Sequence, residues 1–578
     1  MHVIATAGHV DHGKSTLVRA LTGQEPDRLA EEHRRGLSIE LGYCWTSLPE
    51  VGDVAFVDVP GHERFLSTTL AGIGPVSVVM LVVAADDPWM PQAAEHLAAL
   101  DAFGVRHGVV AVTRSDLADP APALTRARAE VDRTALAGVP AVVVSGRTGA
   151  GLDDLRAALA TMLAGVQPDP SADVRVWIDR VFTRAGAGTV VTGTLPAGTV
   201  RVGDELATGG EIARVRVRGL ESLGHAVDEI SGPARVALAL GGRVPAGIAR
   251  GSVLETPGAF AAVDEVDVRL HGDARLPQRP LLHVGSARVS VIARPLGARH
   301  ARLRLESPLP LRHGERVVLR EPGSRTLWGA DVLDADPPPL NRRGGARARA
   351  EVLEALRPDV AGELARRGAV RRSTLRLLGV DPEPRPPDAL AVGDWLVSAA
   401  QVADWRARLT EVVAGTPDGT APEAACRAAG LPDAGLLPAI VSEPLSMRGG
   451  RLVVDQDLPD QLRTALDLLT EDLAGAAFRA PDTVRLASLG LDRTTLGRLA
   501  RDGHVLALGD GVVLLPGADD TAYDVLGALP QPFTTSQARQ ALGTSRRVVL
   551  PLLAHLDRTG RTVRLPDDTR RVIPRPSP

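Results

Sequence analysis

Gly8-His9-Val10-Asp11-His12-Gly13-Lys14-Ser15 matches the pattern G-x-x-x-x-G-K-[ST], and no other stretch constrains the chain as much. A lysine in that pattern must thread into a loop of backbone N–H groups and reach the outer phosphates of a nucleotide. Lys14 is also the only lysine in 578 residues; the other 65 of the 66 Lys plus Arg are arginine. A drift toward arginine, as GC-rich coding would produce, has spared the position that needs a compact ammonium. A planar guanidinium cannot copy that fit. The segment reads as a nucleotide-binding loop.

The length is too great for one core and suggests roughly three to six domains. Net charge is −4, so any nucleic-acid contact must come from a local patch. Cys44 and Cys426 lack metal-ligand spacing and read as reduced core thiols. The phosphate loop begins at Gly8, leaving no room ahead of it for a secretory signal. The apolar run from Val76 to Ala85 is about half a membrane span and reads as a buried strand. A soluble, cytoplasmic monomer without a membrane partner is expected.

Residues 1–168 alternate apolar runs with helix-length segments: His2–Ala7, Val54–Val59, Val78–Ala84, Val109–Thr113 and Ala141–Ser145. That alternation predicts an α/β domain, a parallel sheet with helices on both faces. Gln167-Pro168-Asp169-Pro170 is a linker. Short alternating strands with glycine turns then predict two small β-barrels, over 172–257 and 260–338. The remainder is helical with weak repeats, among them Ser488–Leu508 and Ala541–Leu565. Each reads as helix, glycine turn, helix and strand hairpin. Four tandem winged-helix (α+β) domains are predicted over 343–405, 406–456, 460–517 and 518–578. The expected fold class is multidomain: a P-loop domain, two barrels and a winged-helix array.

The phosphate loop supplies Gly8, His9, Val10, Asp11, His12, Gly13, Lys14, Ser15 and Thr16 as candidate nucleotide contacts. Asp58-Val59-Pro60-Gly61-His62 follows the second core strand. Asp58 there would hold Mg²⁺ through water, Ser15 would ligate it, and Gly61 can offer its N–H to a γ-phosphate. Thr113-Arg114-Ser115-Asp116 ends a later strand, where Asp116 would accept two hydrogen bonds from guanine and adenine could not supply them. Ser145-Gly146 follows the next strand, where a backbone N–H would meet the guanine carbonyl. GTP, GDP and Mg²⁺ are the expected ligands.

On these motifs, and on Gly188-Thr-Val-Val-Thr-Gly-Thr194, residues 1–335 resemble the translational GTPases of the elongation factor Tu family. The resemblance marks Arg35-Gly36-Leu37-Ser38-Ile39 as a first switch and gives Ser38 a place in the Mg²⁺ shell. It implies that His62 orients the attacking water, with Val10 and Leu37 as an apolar gate until the ribosome is engaged. Two positions depart from the family's base-recognition signature: Thr113 stands for asparagine and Arg114 for lysine. Arg114 is expected to stack on the guanine plane.

Within that family the chain is most similar to bacterial selenocysteine-specific elongation factors. The run Asp27–Tyr43 resembles their long first switch, and four winged helices follow three domains as in those factors. Tyr43, Asp179, Arg180 and Arg235 match positions that would line an aminoacyl pocket. A cationic pocket favours an ionised selenolate over neutral serine. Residues 531–578 hold nine arginines against three aspartates, a basic module that suggests a terminal RNA grip. Arg539, Arg546, Arg547, Arg561 and Arg564 are its candidates. The resemblance implies a GTPase that delivers selenocysteinyl-tRNA to the ribosome at UGA codons while holding an mRNA hairpin. A general aminoacyl-tRNA carrier is one alternative, but it needs no basic winged-helix array. A nucleotide-sensing, DNA-binding winged-helix regulator is another, but it needs no pair of barrels.

Overall fold

The computed structural model describes residues 1–26, 32, 38–87, 89–167, 169–209, 213–272, 275–324, 326–341, 344–414, 416, 419–454 and 459–574. They form two compact units, Met1–Ala407 and Arg408–Pro578.

The first unit opens with β1 (His2–Ala7), α1 (Lys14–Thr22), β2 (Gly42–Leu48), β3 (Gly52–Asp58), α2 (Leu66–Ile73) and β4 (Val78–Ala84). It continues through α3 (Pro91–Phe103), β5 (His107–Thr113), α4 (Ala121–Val131), β6 (Ala141–Val143) and α5 (Leu152–Ala164). The strand order is β2-β3-β1-β4-β5-β6. Every residue of β4 is buried, as its continuous apolar run requires of a strand covered on both faces. The sheet departs from the all-parallel expectation at one edge, because β2 pairs antiparallel with β3. Alternation is weak in Gly42–Leu48, so its sequence carries little strand signal. The β6 strand stops at Val143, two residues short of the predicted Ser145.

Next comes a ring of six antiparallel strands between Arg175 and Glu255, closed where Glu205–Thr208 pairs with both Ala213–Ser222 and Val253–Glu255. Along Ala213–Ser222 the inward residues are Val215 and Val217, then Leu220 and Ser222. The phase shifts because a bulge lies between Val217 and Gly219. A second closed six-stranded barrel spans Val263–Asp334. The barrels meet where Gly285 lies on the Trp177 ring; a Cβ at Gly285 would fall 2.2 Å from the ring, so no larger residue fits.

Helices Gly345–Ala355, Val360–Arg367 and Arg372–Leu377 and a three-stranded sheet complete the unit. They dock on the second barrel through buried charge. Arg302 forks onto Asp267 at 2.7 and 3.0 Å, and Arg349 bridges Asp267 and Asp334. Arg366 reaches Asp334 at 3.1 Å and Glu363 at 2.7 Å. Asp267, Asp334 and Glu363 are fully buried.

The helix Ala399–Ala414 runs through the predicted 405/406 domain boundary, and the division between units falls at 407/408 inside it. The second unit repeats three helical segments followed by a two-stranded hairpin. Its hairpins are Leu445–Arg448 with Arg451–Val454, Leu506–Leu508 with Val512–Leu514, and Thr562–Arg564 with Arg570–Val572. The last two repeats share a single apolar core running from Ala465 to Leu556. Helix Arg546–Arg558 packs on the hairpin of the preceding repeat. Thr544 and Arg547 hydrogen-bond the carbonyls of Phe478, Ala480 and Pro481 across that boundary. Cys44 and Cys426 are buried thiols without a disulfide.

Candidate functional site

The phosphate loop is shaped by contacts that exclude side chains. Gly8 has φ +134°, and a Cβ there would lie 2.2 Å from the Val82 carbonyl oxygen. Gly13, at φ +80°, turns the chain into α1. Lys14 opens that helix, and its Nζ donates to the carbonyls of Gly8 at 3.2 Å and His9 at 2.8 Å. Gly61 faces it: a Cβ at Gly61 would meet Nζ at 2.6 Å and the Val10 nitrogen at 2.4 Å. The Gly61 backbone therefore sits beside the ammonium, where the outermost phosphate would lie.

Oxygen atoms converge next to it. Ser15 Oγ donates to Asp58 Oδ2 at 2.6 Å and lies 3.2 Å from Ser38 Oγ. Two hydroxyls and a carboxylate suit a hard divalent cation such as Mg²⁺. Thr6, which the sequence reading missed, donates to Asp58 Oδ1 at 2.6 Å and accepts from the Val59 N–H at 3.0 Å. It holds the carboxylate at the strand end. A hydroxyl two residues before the first glycine of the loop was the available signal.

His96 was also missed. It lies on the buried stripe of α3 with Ala93, Leu97 and Leu100, and a polar residue on such a stripe was its sequence signal. Its Nδ1 accepts from the Gly8 N–H at 2.9 Å. Burial, reinforced by Lys14, His9 and His12, pushes its pKa down to about 3, so the ring is a neutral acceptor. Burial also takes His12 down to about 4, with its Nδ1 3.3 Å from the Val82 carbonyl and its Nε2 3.4 Å from Asp87. The loop thus keeps Lys14 as its cation while the buried rings of His12 and His96 stay neutral.

His62 caps the 3₁₀ turn Glu63–Phe65, and its Nδ1 accepts from the Arg64 N–H at 3.2 Å. That contact places the neutral ring's hydrogen on Nε2. Val10 lies beside Gly61, whereas Leu37 falls outside the described residues.

The base-recognition loop is braced against the phosphate loop. Thr113 Oγ1 donates to the His12 carbonyl at 2.7 Å, so it braces the phosphate loop. Arg114 adopts φ +57° and hydrogen-bonds Asp86 at 3.1–3.2 Å and the Asp11 carbonyl. Its guanidinium is held there between Asp86 and the phosphate loop. Ser145 Oγ donates to Asp116 at 2.6 Å and thereby holds that carboxyl below its ordinary pKa, an ionised acceptor at the surface. The Ser145 N–H is bound to the Ala150 carbonyl, so Gly146 is the better-placed backbone donor for a base carbonyl.

Tyr43, Asp179, Arg180 and Arg235 come together where β2 meets the first barrel. Both terminal nitrogens of Arg235 fork onto Asp179, and Thr192 Oγ1 donates to the same carboxylate at 2.8 Å. The Arg235 guanidinium lies 3.9 Å from the Tyr43 ring centre and that of Arg180 lies 5.9 Å away. Burial works against the charge of Arg235, but Asp179 and Tyr43 together offset it and the pKa is raised. Burial pushes the Tyr43 phenol up, so it stays neutral.

In the C-terminal repeat, Arg547 is tied to the Ala480 and Pro481 carbonyls, Arg561 to Asp519 and Asp520, and Arg564 to Asp568. Arg539 and Arg546 are exposed without such an ion pair among the described residues. The expected RNA set is therefore unequal: three of its five arginines already have partners. Among the described residues no helix is long and apolar enough to cross a membrane.

Fold and site define a translational GTPase of the elongation factor Tu class, extended by winged helices. The elongation factor Tu GTP binding domain matches residues 1–165, and the elongation factor SelB winged helix matches residues 524–571. The selenocysteine-specific elongation factor of Escherichia coli K12 is 36% identical over 71% of this chain and 70% of its own length. That of Desulfomicrobium baculatum is 34% identical over 65% of this chain, which spans 63% of the relative's length. The chain belongs to the selenocysteine-specific elongation factors. A crystal structure of a bacterial member superposes with TM-score 0.74 at 25% identity, covering 99% of this chain and all of that one.

Proposed function

We propose that the protein carries selenocysteinyl-tRNA to the ribosome at UGA codons, hydrolysing GTP on arrival, while its last winged helix holds an mRNA hairpin. One observation carries the tRNA assignment: two arginines stack around Tyr43 directly after the Ser38 segment, with Asp179 fixing one of them. An ionised selenol is an anion at neutral pH, whereas serine on the same tRNA is neutral. A preorganised guanidinium distinguishes the two by charge. Phosphate binding falls to Lys14 and the loop N–H groups, and base selection to Asp116. Ser15, Ser38 and Asp58 would hold Mg²⁺, which neutralises charge on the outer phosphates. His62 orients water at the γ-phosphate through its ring nitrogen. Exposed Arg539 and Arg546 are the leading contacts to RNA phosphates, and the basic tail module supports that reading.

The test measures how well the GTP-loaded protein slows spontaneous deacylation of one tRNA body charged with selenocysteine or with serine. Protection of the selenocysteinyl form alone is expected. Equal protection of both would remove the charge-based pocket.

A further inference from the structure

We infer that Glu40 is the resident counter-ion of the aminoacyl pocket, and that it makes the pocket's affinity for an anionic side chain depend on the state of the first switch. The inference rests on the pocket assignment above.

The two pocket arginines are not equivalent. Arg235 is 11% exposed and forked onto Asp179, itself 7% exposed, so its charge is already answered from within the protein. Arg180 is 40% exposed, and its Nη2 donates to Glu40 Oε2 at 2.9 Å, with Glu40 55% exposed. The four side chains Arg180, Arg235, Asp179 and Glu40 therefore sum to zero charge. Arg250 adds a further cation near Tyr43, but an anion that takes a carboxylate's place on either pocket arginine displaces Glu40 far more readily than Asp179. An exposed ion pair is held only weakly. Asp179, buried and doubly bound, cannot be exchanged so cheaply.

Glu40 also belongs to the nucleotide site by connection. Its N–H donates to Glu32 Oε1 at 3.0 Å, and the Ile39 N–H shares that oxygen at 2.9 Å. Ser38, two residues earlier, lies 3.2 Å from Ser15 beside Asp58. Tyr43, three residues later, carries both pocket guanidinium groups on its ring. Six consecutive residues thus join the proposed metal shell to the pocket. Contacts to a γ-phosphate and its metal order such switch segments. A rearrangement that moves Ser38 would also move Glu40 on or off Arg180. By linkage, an anion that displaces Glu40 must feed back on nucleotide binding by the same factor, and a neutral side chain must not.

Glu40→Gln keeps the size and removes the competing charge. In the full-length protein it is expected to bind selenocysteinyl-tRNA up to about fivefold more tightly, as loss of an exposed pair allows. Seryl-tRNA binding should be unchanged. The difference between the effects of the two tRNAs on GDP and GTP dissociation, followed with fluorescent nucleotides, should shrink in Glu40→Gln. Unchanged or weaker selenocysteinyl-tRNA binding, or undiminished coupling, overturns the inference. Arg180→Gln separates this from the pocket assignment. If wild type prefers selenocysteinyl-tRNA and Arg180→Gln loses that preference, the pocket stands whatever Glu40→Gln does. If wild type shows no preference, the pocket itself fails.

Discussion

At the scale of single residues, the nucleotide site holds buried histidines that stay neutral beside Lys14. His96 shows the cost of that arrangement. Its ordinary pKa of 6.5 falls to about 3 in the folded protein, so between those values the unfolded chain binds a proton that the native one refuses. Stability from this group is therefore complete above about pH 6.5 and lost as pH falls toward 3. His12, lowered to about 4, acts in the same direction. His96→Gln, which retains an acceptor for Gly8, should show a shallower loss of unfolding free energy between pH 6.5 and 4 than wild type. Urea titrations at several pH values measure that slope, and equal slopes would contradict a neutral His96. The motif residues of this site were readable because each answers to a fixed spacing around a phosphate. Thr6 and His96 were not, since each acts on a loop atom that only the fold brings near. The Asp86 partner of Arg114 was hidden for a related reason: it stands 28 positions away, just past the end of a different strand.

At the scale of elements, core strands such as His2–Ala7 and Val78–Ala84 could be read to the residue because an unbroken apolar run has few other uses. Edge strand Gly42–Leu48 and the helix through residue 405 could not, because neither has a composition break. The C-terminal arginines show how a charge count misleads. The window 531–578 leaves out Asp519 and Asp520, and these two neutralise Arg561. Arg539→Ala with Arg546→Ala should weaken binding of a hairpin RNA by roughly 2–4 kcal/mol if both meet phosphates. Arg561→Ala should change it little beyond what the last repeat loses in stability. The proper fragment for a gel shift against RNA and duplex DNA spans 460–578, because the last two repeats share one core. A preference for duplex DNA would defeat the hairpin assignment.

At the scale of the whole molecule, buried charge ties the first winged helix to the second barrel. Arg302→Ala leaves the fully buried Asp267 with Arg349 as its cation, and about 3–5 kcal/mol of stability should be lost from the first unit. Denaturant unfolding should show the transition of the first unit moving while that of residues 408–578 stays in place. A shift of both, or of neither, would contradict a network confined to the first unit. The composition of the chain has a different kind of consequence. Its one lysine side chain is folded under two loop carbonyls at the floor of the phosphate site, 6% exposed. An amine-reactive ester thus has a single lysine to find, and it can reach it only when that floor is open. The yield of acylated Lys14, read by mass spectrometry, becomes a built-in gauge of how often the loop carbonyls release it.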